Sequence, residues 1–272
     1  GDIPKGSVGP AIQGVELRIH EPDAEGVGEV IARGPNVMLG YWRGGEQPGV
    51  DPDLTGQVMK DGWFHTGDLG KLDGDGNLTL VGRKKDVIID ANGKNVYPDE
   101  VEEAYREPDL VKDLCVVGLP DGTGEKVAMV IVPDWRDRDR GEVRQRIEAH
   151  VREVSARLPF AKRVKVWHVV DGELPKTATR KVKRPLVKEE LLRLEAAAEK
   201  GRKARESSRQ GGRDREGDGW ILDLVADVSR KPRAELSAAT RLVDLGFDSL
   251  MLTELTAALE VAGVPSSAAE DL

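Results

Sequence analysis

The densest group of residues that could do chemistry is WFHTGDLG at residues 63–70, followed by GRKKD at residues 82–86. A carboxylate beside a glycine turn, such as Asp68, can accept hydrogen bonds from both hydroxyls of a ribose. An arginine across the cleft, such as Arg83, can donate to the same sugar or to its phosphate. The two segments indicate a nucleotide clamp, although alone they are more typical of a turn-stabilising Asp and a surface Arg.

A second group is the basic loop LPKTATRKVKR at residues 174–184, between a predicted strand and a predicted helix. A lysine on such a loop can neutralise a phosphate and a carboxylate together as they meet in a displacement reaction. The alternative is that these basic residues are simply solvated and take no part in chemistry, and the residues alone favour that alternative.

The third group is LGFDSLMLTEL at residues 245–255. Ser249 is predicted at the start of a helix, where a hydroxyl is accessible to a modifying enzyme. The alternative is that Ser249 or Asp248 only caps the helix, which is the more common role of an Asp-Ser pair.

Short strands separated by glycine turns must position the first group, so the N-terminal part is predicted to be β-rich. From Pro98 onward, two strands, an amphipathic helix and a further strand, flanked by helices, predict a small α+β domain with its N-terminal boundary near residues 82–85. The predicted strands are residues 15–19, 28–32, 77–81, 87–89, 114–119, 126–132 and 164–170. The predicted helices are residues 99–106, a helix with Val143, Ile147, Val151, Val154 and Leu158 on one face, residues 220–228, and a helix opening at Asp248-Ser249 with Leu252, Leu255, Leu259 and Ala262 buried.

The segment at residues 199–219 has no aliphatic residue beyond Ala204 and no helical apolar period, so it is predicted to be a solvated linker. Residues 217–272, which follow it, hold four Lys/Arg and ten Asp/Glu, a balance of 4 − 10 = −6. A charged tether therefore leads into an acidic, all-helical module.

Composition excludes several classes of protein. The net charge of −8 argues against a generic nucleic-acid binder, and no apolar stretch is long enough for a membrane span, although a peripheral membrane contact stays open. The single cysteine, Cys115, is predicted to be a core residue. Because one cysteine cannot form an internal disulfide and the N-terminus is not leader-like, the sequence predicts a cytoplasmic protein. The four histidines lack metal-ligand spacing, so no metal site is predicted, and His65 alone is a minor candidate for the nucleotide cleft: His20, His65, His150 and His168.

The three groups occur in order in one chain, and there the sequence resembles a known family. Residues 1–195 resemble the C-terminal part of an AMP-forming acyl-CoA synthetase of the adenylate-forming superfamily. Residues 218–272 resemble an acyl carrier protein, most closely in LGFDSL. The similarity of the first part rests on GSVGPAIQGVELRI, GEVIARGPNVMLGYW, DGWFHTGDLG, VGRKKDVIIDANGKNVYPDEVE and LPKTATRKVKR. The forms GKNVYPDEVE and FHTGD are more similar to medium- and long-chain fatty-acid ligases than to amino-acid-activating domains.

The resemblance implies an α+β fold in four parts. Residues 1–83 would be the β-rich C-terminal portion of the large AMP-binding domain, and residues 84–195 a mobile C-terminal lid. Residues 196–217 would be a flexible charged linker, and residues 218–272 an incomplete four-helix carrier domain. The family's phosphate loop and acyl pocket are not found in this sequence, so we expect the chain to be a fragment that is inactive alone.

The resemblance also implies a role for individual residues. Asp68 would bind the ribose hydroxyls of ATP, Arg83 would support the ribose and phosphate, and Lys85 would be the hinge. Lys181 would be the catalytic lysine that bridges the acyl carboxylate and the α-phosphate. The residues that would line the pantetheine tunnel are Gly93, Lys94 and Asn95, and Ser249 would carry 4′-phosphopantetheine.

One departure from the family pattern concerns the lysine. The family usually has Gly immediately before it, whereas this sequence has Arg180. Lys183 is a nearby alternative amine, so both lysines stay candidates at this point.

The implied reaction joins a fatty acid to a thiol with ATP and Mg²⁺, through acyl-AMP, the thiol being that of coenzyme A or of the carrier. The implied partners are a phosphopantetheinyl transferase and a downstream acyltransferase. A second hypothesis is a non-catalytic carrier and docking module. A third is a basic, partner-binding tether at residues 202–215.

Overall fold

The computed structural model of the chain describes residues 3–45, 48–136, 138–210, 219–237, 239–247 and 249–262. The chain divides into two compact units, Gly1–Ala104 and Tyr105–Leu272, called here the N-terminal and C-terminal units. Compactness thus groups residues 84–104 with the N-terminal unit, whereas the predicted domain boundary lies after residue 83 and stays a prediction. Of the helices described, none is both long and apolar enough to cross a membrane.

The N-terminal unit is built on an antiparallel five-stranded sheet, which confirms the β-rich prediction. Its strand order is β1-β2-β6-β5, with β7 paired to β6, and two short hairpins, β3–β4 and β8–β9, accompany it. The strands are β1 (Glu16–His20), β2 (Gly28–Arg33), β3 (Trp42–Arg43), β4 (Gly49–Val50), β5 (Met59–Lys60), β6 (Trp63–Leu72), β7 (Leu78–Arg83), β8 (Ile88–Ile89) and β9 (Asn95–Val96). The helices are α1 (Pro52–Val58) and α2 (Pro98–Tyr105), the last residue of which belongs to the other unit.

The sharp connection between β6 and β7 is made by an aspartate turn. The Asp73 carboxylate accepts hydrogen bonds from the backbone N–H groups of Asp75 and Asn77 at 2.9 and 2.8 Å. Such an Asx turn fixes the strand register without an apolar contribution. It therefore holds the two strands that carry the first chemical group.

In its described residues, the C-terminal unit contains a three-stranded sheet and four α-helices. Strands β10 (Val111–Asp121) and β11 (Gly124–Pro133) are antiparallel, and β12 (Val166–Val169) lies parallel to β11. The parallel pairing needs a crossover, which α3 (Arg140–Arg157) supplies. The predicted apolar face of α3 is buried at Val143, Ile147 and Val151, whereas Val154 and Leu158 are only half-buried. The remaining helices are α4 (Arg184–Gln210), α5 (Gly219–Ser229) and α6 (Ser249–Ala262).

The predicted linker is corrected in its first half, because α4 continues to Gln210. Residues 199–210 are mostly Ala, Arg, Lys and Glu, which extend a helix by intrinsic propensity without an apolar period. Residues 211–218, the rest of that linker, lie outside the described residues.

The predicted buried stripe of α6 is correct at Leu255 and Leu259 but wrong at Leu252, which is 42% exposed. The helix packs through Leu255, Ala258 and Leu259. Leu252 lies one turn before this contact and falls at its edge. The side chain of Ala262 lies outside the described residues.

Candidate functional site

The pairing of β6 with β7 brings the two predicted clamp residues together. Asp68 is the register partner of Arg83, and Arg83 Nη1 donates to Asp68 Oδ1 at 2.5 Å. The side chains keep 35% and 47% of their surface exposed. An ionised carboxylate and a guanidinium that are paired yet open to solvent can exchange part of this pairing for a ligand's hydroxyls and phosphate.

A β-bulge displaces Asp68 from the regular ladder. The ladder between β2 and β6 pairs Ile31 with His65 and Glu29 with Leu69. Three residues of β6, numbers 66–68, therefore lie opposite a single residue of β2. Extra residues in one strand re-aim its side chains, which is why bulges are common beside functional sites.

Each residue of the Thr66-Gly67-Asp68 sequence has a part in this bulge. The Thr66 hydroxyl donates to the carbonyl of Val30 at 2.7 Å and accepts the backbone N–H of Asp68 at 3.0 Å. Gly67 has a φ of +70°, in the left-handed region that favours glycine. The bulge thus explains why the carboxylate follows a threonine and a glycine.

Beneath the bulge lies a buried carboxylate, Glu29, whose side chain is 8% exposed. It accepts hydrogen bonds from the Gly67 N–H at 3.1 Å, from His65 Nδ1 at 3.1 Å and from Lys84 Nζ at 3.0 Å. Burial alone would raise the pKa of Glu29, but the hydrogen bonds from His65 and Lys84 outweigh it and hold the pKa below its ordinary value. Glu29 therefore couples the bulge to the segment after β7.

Sequence reasoning missed Glu29. The available signal was a glutamate inside β2, the most continuously buried strand of this sheet. His65, the minor candidate for the cleft, instead binds Glu29 and makes an edge-to-face contact with His20 at a centroid distance of 5.0 Å.

We expect Glu29→Gln to destabilise the N-terminal unit by about 1–3 kcal/mol at pH 7, because the new amide NH₂ would face groups that are themselves donors. The folded pKa of Glu29 is lowered, so its stabilisation is present above the unfolded pKa and is lost as the pH falls through the folded pKa. The difference in free energy of unfolding between the variant and the wild type should therefore become smaller in acid. Native-state hydrogen exchange of the β2 and β6 amides, at neutral and acidic pH, measures it.

The control for this variant is Glu16→Gln in β1. Glu16 pairs with Arg33 at 2.8 Å on an exposed face, where ion pairs contribute little. Equal protection losses in the two variants would contradict a special role for Glu29.

The predicted hinge, Lys85, lies in a 3₁₀ turn, Lys84–Asp86, directly after β7 and is exposed. Its neighbour Lys84 is held by Glu29, so the turn has a fixed point on its N-terminal side. The hinge role of Lys85 stays a prediction.

The predicted tunnel residues Gly93, Lys94 and Asn95 are exposed on the β8–β9 hairpin. Asp90 shapes this hairpin by accepting the backbone N–H of Lys94 at 2.8 Å, and this bond holds the pKa of Asp90 below its usual value. Gly93 has a φ of +76°. The geometry gives a preorganised turn, and the tunnel assignment stays a prediction.

The basic loop forms a small hairpin that presents Lys181. The Thr177 N–H donates to the Lys181 carbonyl at 2.8 Å, and the Lys181 N–H donates to the Thr177 hydroxyl at 3.1 Å. At the base of the loop, Lys176 Nζ lies 2.6 Å from Asp113 Oδ2 on β10. The loop is anchored at its base, and both Lys181 and Lys183 are exposed.

Arg180 adopts a φ of +63°, the left-handed conformation that glycine would occupy without strain. A non-glycine residue there costs about 1–3 kcal/mol. The backbone before Lys181 is therefore the one that a glycine would favour, despite the arginine.

The third group places Ser249 as the first residue of α6, after a turn in which Gly246 has a φ of +75°. Asp248 and the side chain of Ser249 lie outside the described residues. The role of Ser249 as the phosphopantetheine attachment position stays a prediction, and the helix that it begins packs through Leu255 and Leu259.

The described residues contain no group of three or more His, Cys, Asp or Glu side chains placed to hold a metal ion.

Two protein-family models match the chain. Residues 100–181 match the AMP-binding enzyme C-terminal domain, and residues 219–270 match the phosphopantetheine attachment site. The first includes the loop of Lys181, and the second includes Ser249.

Two curated relatives are named as CoA ligases. An indoleacetate–CoA ligase of Aromatoleum aromaticum is 39% identical over 195 residues, which cover 69% of this chain and 35% of the relative. A long-chain-fatty-acid–CoA ligase of Bacillus subtilis is 40% identical over 166 residues, which cover 60% of this chain and 27% of the relative. The chain thus spans about a third or less of these relatives.

Solved structures of adenylate-forming enzymes share the fold. ATP-bound MatB from Rhodopseudomonas palustris superposes with a TM-score of 0.56 and 33% identity, covering 70% of this chain and 36% of the other. The amide bond synthetase McbA from Marinactinospora thermotolerans gives a TM-score of 0.52 and 34% identity, covering 68% and 36%.

Proposed function

We propose that this chain, which carries the C-terminal domain of AMP-binding enzymes and a phosphopantetheine attachment domain, serves an AMP-forming ligase that joins a fatty acid to a pantetheine thiol. In the first step a carboxylate oxygen attacks the α-phosphorus of ATP, the bond to the β-phosphate breaks, and acyl-AMP and pyrophosphate form. In the second, the thiol sulfur attacks the acyl carbon, AMP leaves, and the thiol proton is released. Mg²⁺ enters only with the ATP substrate.

The observation that carries the proposal is the Asp68–Arg83 pair on its bulge. Its carboxylate suits the two ribose hydroxyls, and its guanidinium suits the adjacent phosphate. The exposed loop of Lys181 supplies the charge that the α-phosphate and carboxylate need as they meet. The long-chain specificity is supported by relatives named for such acids, and the cytoplasmic location remains a prediction.

We expect Asp68→Ala in the full-length ligase to raise the KM for ATP about 10- to 100-fold, since hydrogen bonds to charged groups contribute about 1.5–3 kcal/mol. ATP–pyrophosphate exchange with a series of fatty acids measures it. Asp75→Asn, an exposed carboxylate in the same β6–β7 connection, is the matched control. A ligase without exchange on any fatty acid, or an unchanged KM in Asp68→Ala, would refute the nucleotide clamp.

The acyl acceptor is either coenzyme A or the fused carrier, and an experiment with a labelled fatty acid distinguishes the two. With radiolabelled fatty acid, the carrier route leaves acyl label on the protein, whereas the coenzyme A route leaves it on the free thioester.

The second candidate is a non-catalytic carrier and docking module. It is favoured by the match of residues 219–270 to the phosphopantetheine attachment site and by their acidic balance, which suits basic partner enzymes. A downstream acyltransferase would be such a partner. Pantetheinylation without any pyrophosphate exchange would support this candidate over the ligase.

A further inference from the structure

Helix α4 belongs to two hydrophobic cores in the C-terminal unit. Val187, Leu191 and Leu194 are fully buried in the core of the β10–β11–β12 sheet. One turn later, Ala197 is 7% exposed and belongs to a second core, whose other buried members come from α5, α6 and the segment between them. One helix therefore joins the sheet to the two C-terminal helices.

The two contact surfaces lie on different faces of α4. The sheet-facing residues are spaced by 4 and 3, as expected for one face of a helix. Arg193, Ala196 and Lys200 instead line a cleft of about 610 Å³ formed with α5 and α6. Up to Lys200, α4 therefore has contacts on two faces and does not behave as a free tether over that stretch.

Charged groups also link the elements. Lys200 Nζ on α4 lies 3.0 Å from Asp227 Oδ2 on α5. Burial raises the pKa of Glu190 on α4, with Arg193 opposing and the Glu254 carboxylate of α6 adding to the rise. The contact is thus polar at its edge and apolar at Ala197, Ala258 and Leu259.

The cleft beside α4 is lined by residues on one side of α6. Met251, Glu254 and Ala258 of α6 line the cleft. Ser249 precedes Ala258 by nine residues, or two and a half helical turns, so the two positions lie on opposite sides of the helix.

We propose that α4 is a shared helix, completing the core of the carrier helices α5 and α6, so that the carrier and residues 105–195 of the lid move as one body, with position 249 on the side of α6 opposite the cleft. The names carrier and lid rest on the proposed function, but the shared helix does not. The carrier is then delivered by motion of the whole C-terminal unit rather than by swinging on a free linker.

The test is hydrogen exchange on the whole 272-residue chain, which needs neither ATP nor an acyl group. Ala197→Glu is expected to raise exchange at least 10-fold in α5 and α6 while β10 and β11 keep their protection. The matched control is Leu192→Glu, at an α4 position that is 43% exposed and in neither core. It should leave hydrogen exchange unchanged both in α5 and α6 and in β10 and β11. Unchanged exchange of α5 and α6 in Ala197→Glu would overturn the proposal.

A charge-reversal pair provides a second test, in case Ala197→Glu unfolds the whole chain. Lys200→Glu should increase the exchange of α5 by about 5-fold at most, because this ion pair is exposed, and the double variant Lys200→Glu/Asp227→Lys should restore it. Backbone ¹⁵N relaxation completes the test: β11 and α6 should share one rotational correlation time, and a shorter time for α6 would refute the single body. Neither result depends on ligase activity, so failure here and failure of the proposed function are distinguishable.

Discussion

Replacing Lys181 with alanine is expected to reduce ATP–pyrophosphate exchange by the full-length ligase about 10²- to 10³-fold, with little change in the KM for ATP. The expected size is that of removing one preorganised donor from a transition state that develops negative charge. The loop supports this role because its backbone hydrogen bonds with Thr177 hold Lys181 in an exposed hairpin anchored through Lys176. Initial rates at saturating ATP and fatty acid measure the effect.

The matched control is Lys183→Ala, because both amines are exposed on the same loop. It should retain most of the exchange rate. A loss confined to Lys183→Ala would transfer the catalytic role to that residue, and equal small losses would contradict a catalytic lysine on this loop.

Replacing Ser249 with alanine is expected to abolish attachment of the phosphopantetheine group. Incubation with a phosphopantetheinyl transferase and coenzyme A should raise the intact mass of the wild-type chain by one such group and leave Ser249→Ala unchanged, because the variant lacks the attacking hydroxyl. Ser237→Ala, an exposed serine in the same module, should be modified like the wild type. Modification of Ser249→Ala would show that another residue is the attachment site.

The sequence predicted residues whose neighbours along the chain carry the signal. Asp68 and Arg83 each follow a glycine, and the resemblance of their two segments to family motifs singled them out. The β6–β7 register then brings the two together. The sequence did not reveal Glu29, because its role comes from pairing between strands far apart in sequence. Its three donors come from β6 and from the turn after β7.

The C-terminal extension of α4 to Gln210 was not predicted, for a related reason. Periodicity detects a helix by its apolar face, and residues 199–210 have none, so propensity alone carries α4 to Gln210. Leu252 shows the opposite error. It fits the apolar stripe of α6, but the partner elements meet that helix at Leu255 and Leu259, one and two turns later.

The burial of Cys115 gives the molecule a useful chemical property. This residue is the only cysteine of the chain, and its strand position leaves it 1% exposed. A folded chain should therefore react very slowly with maleimide reagents until a pantetheine arm is attached. After attachment, the pantetheine sulfur would be the one accessible thiol, so thiol titration would count carriers without an acyl group directly, without a label on the substrate.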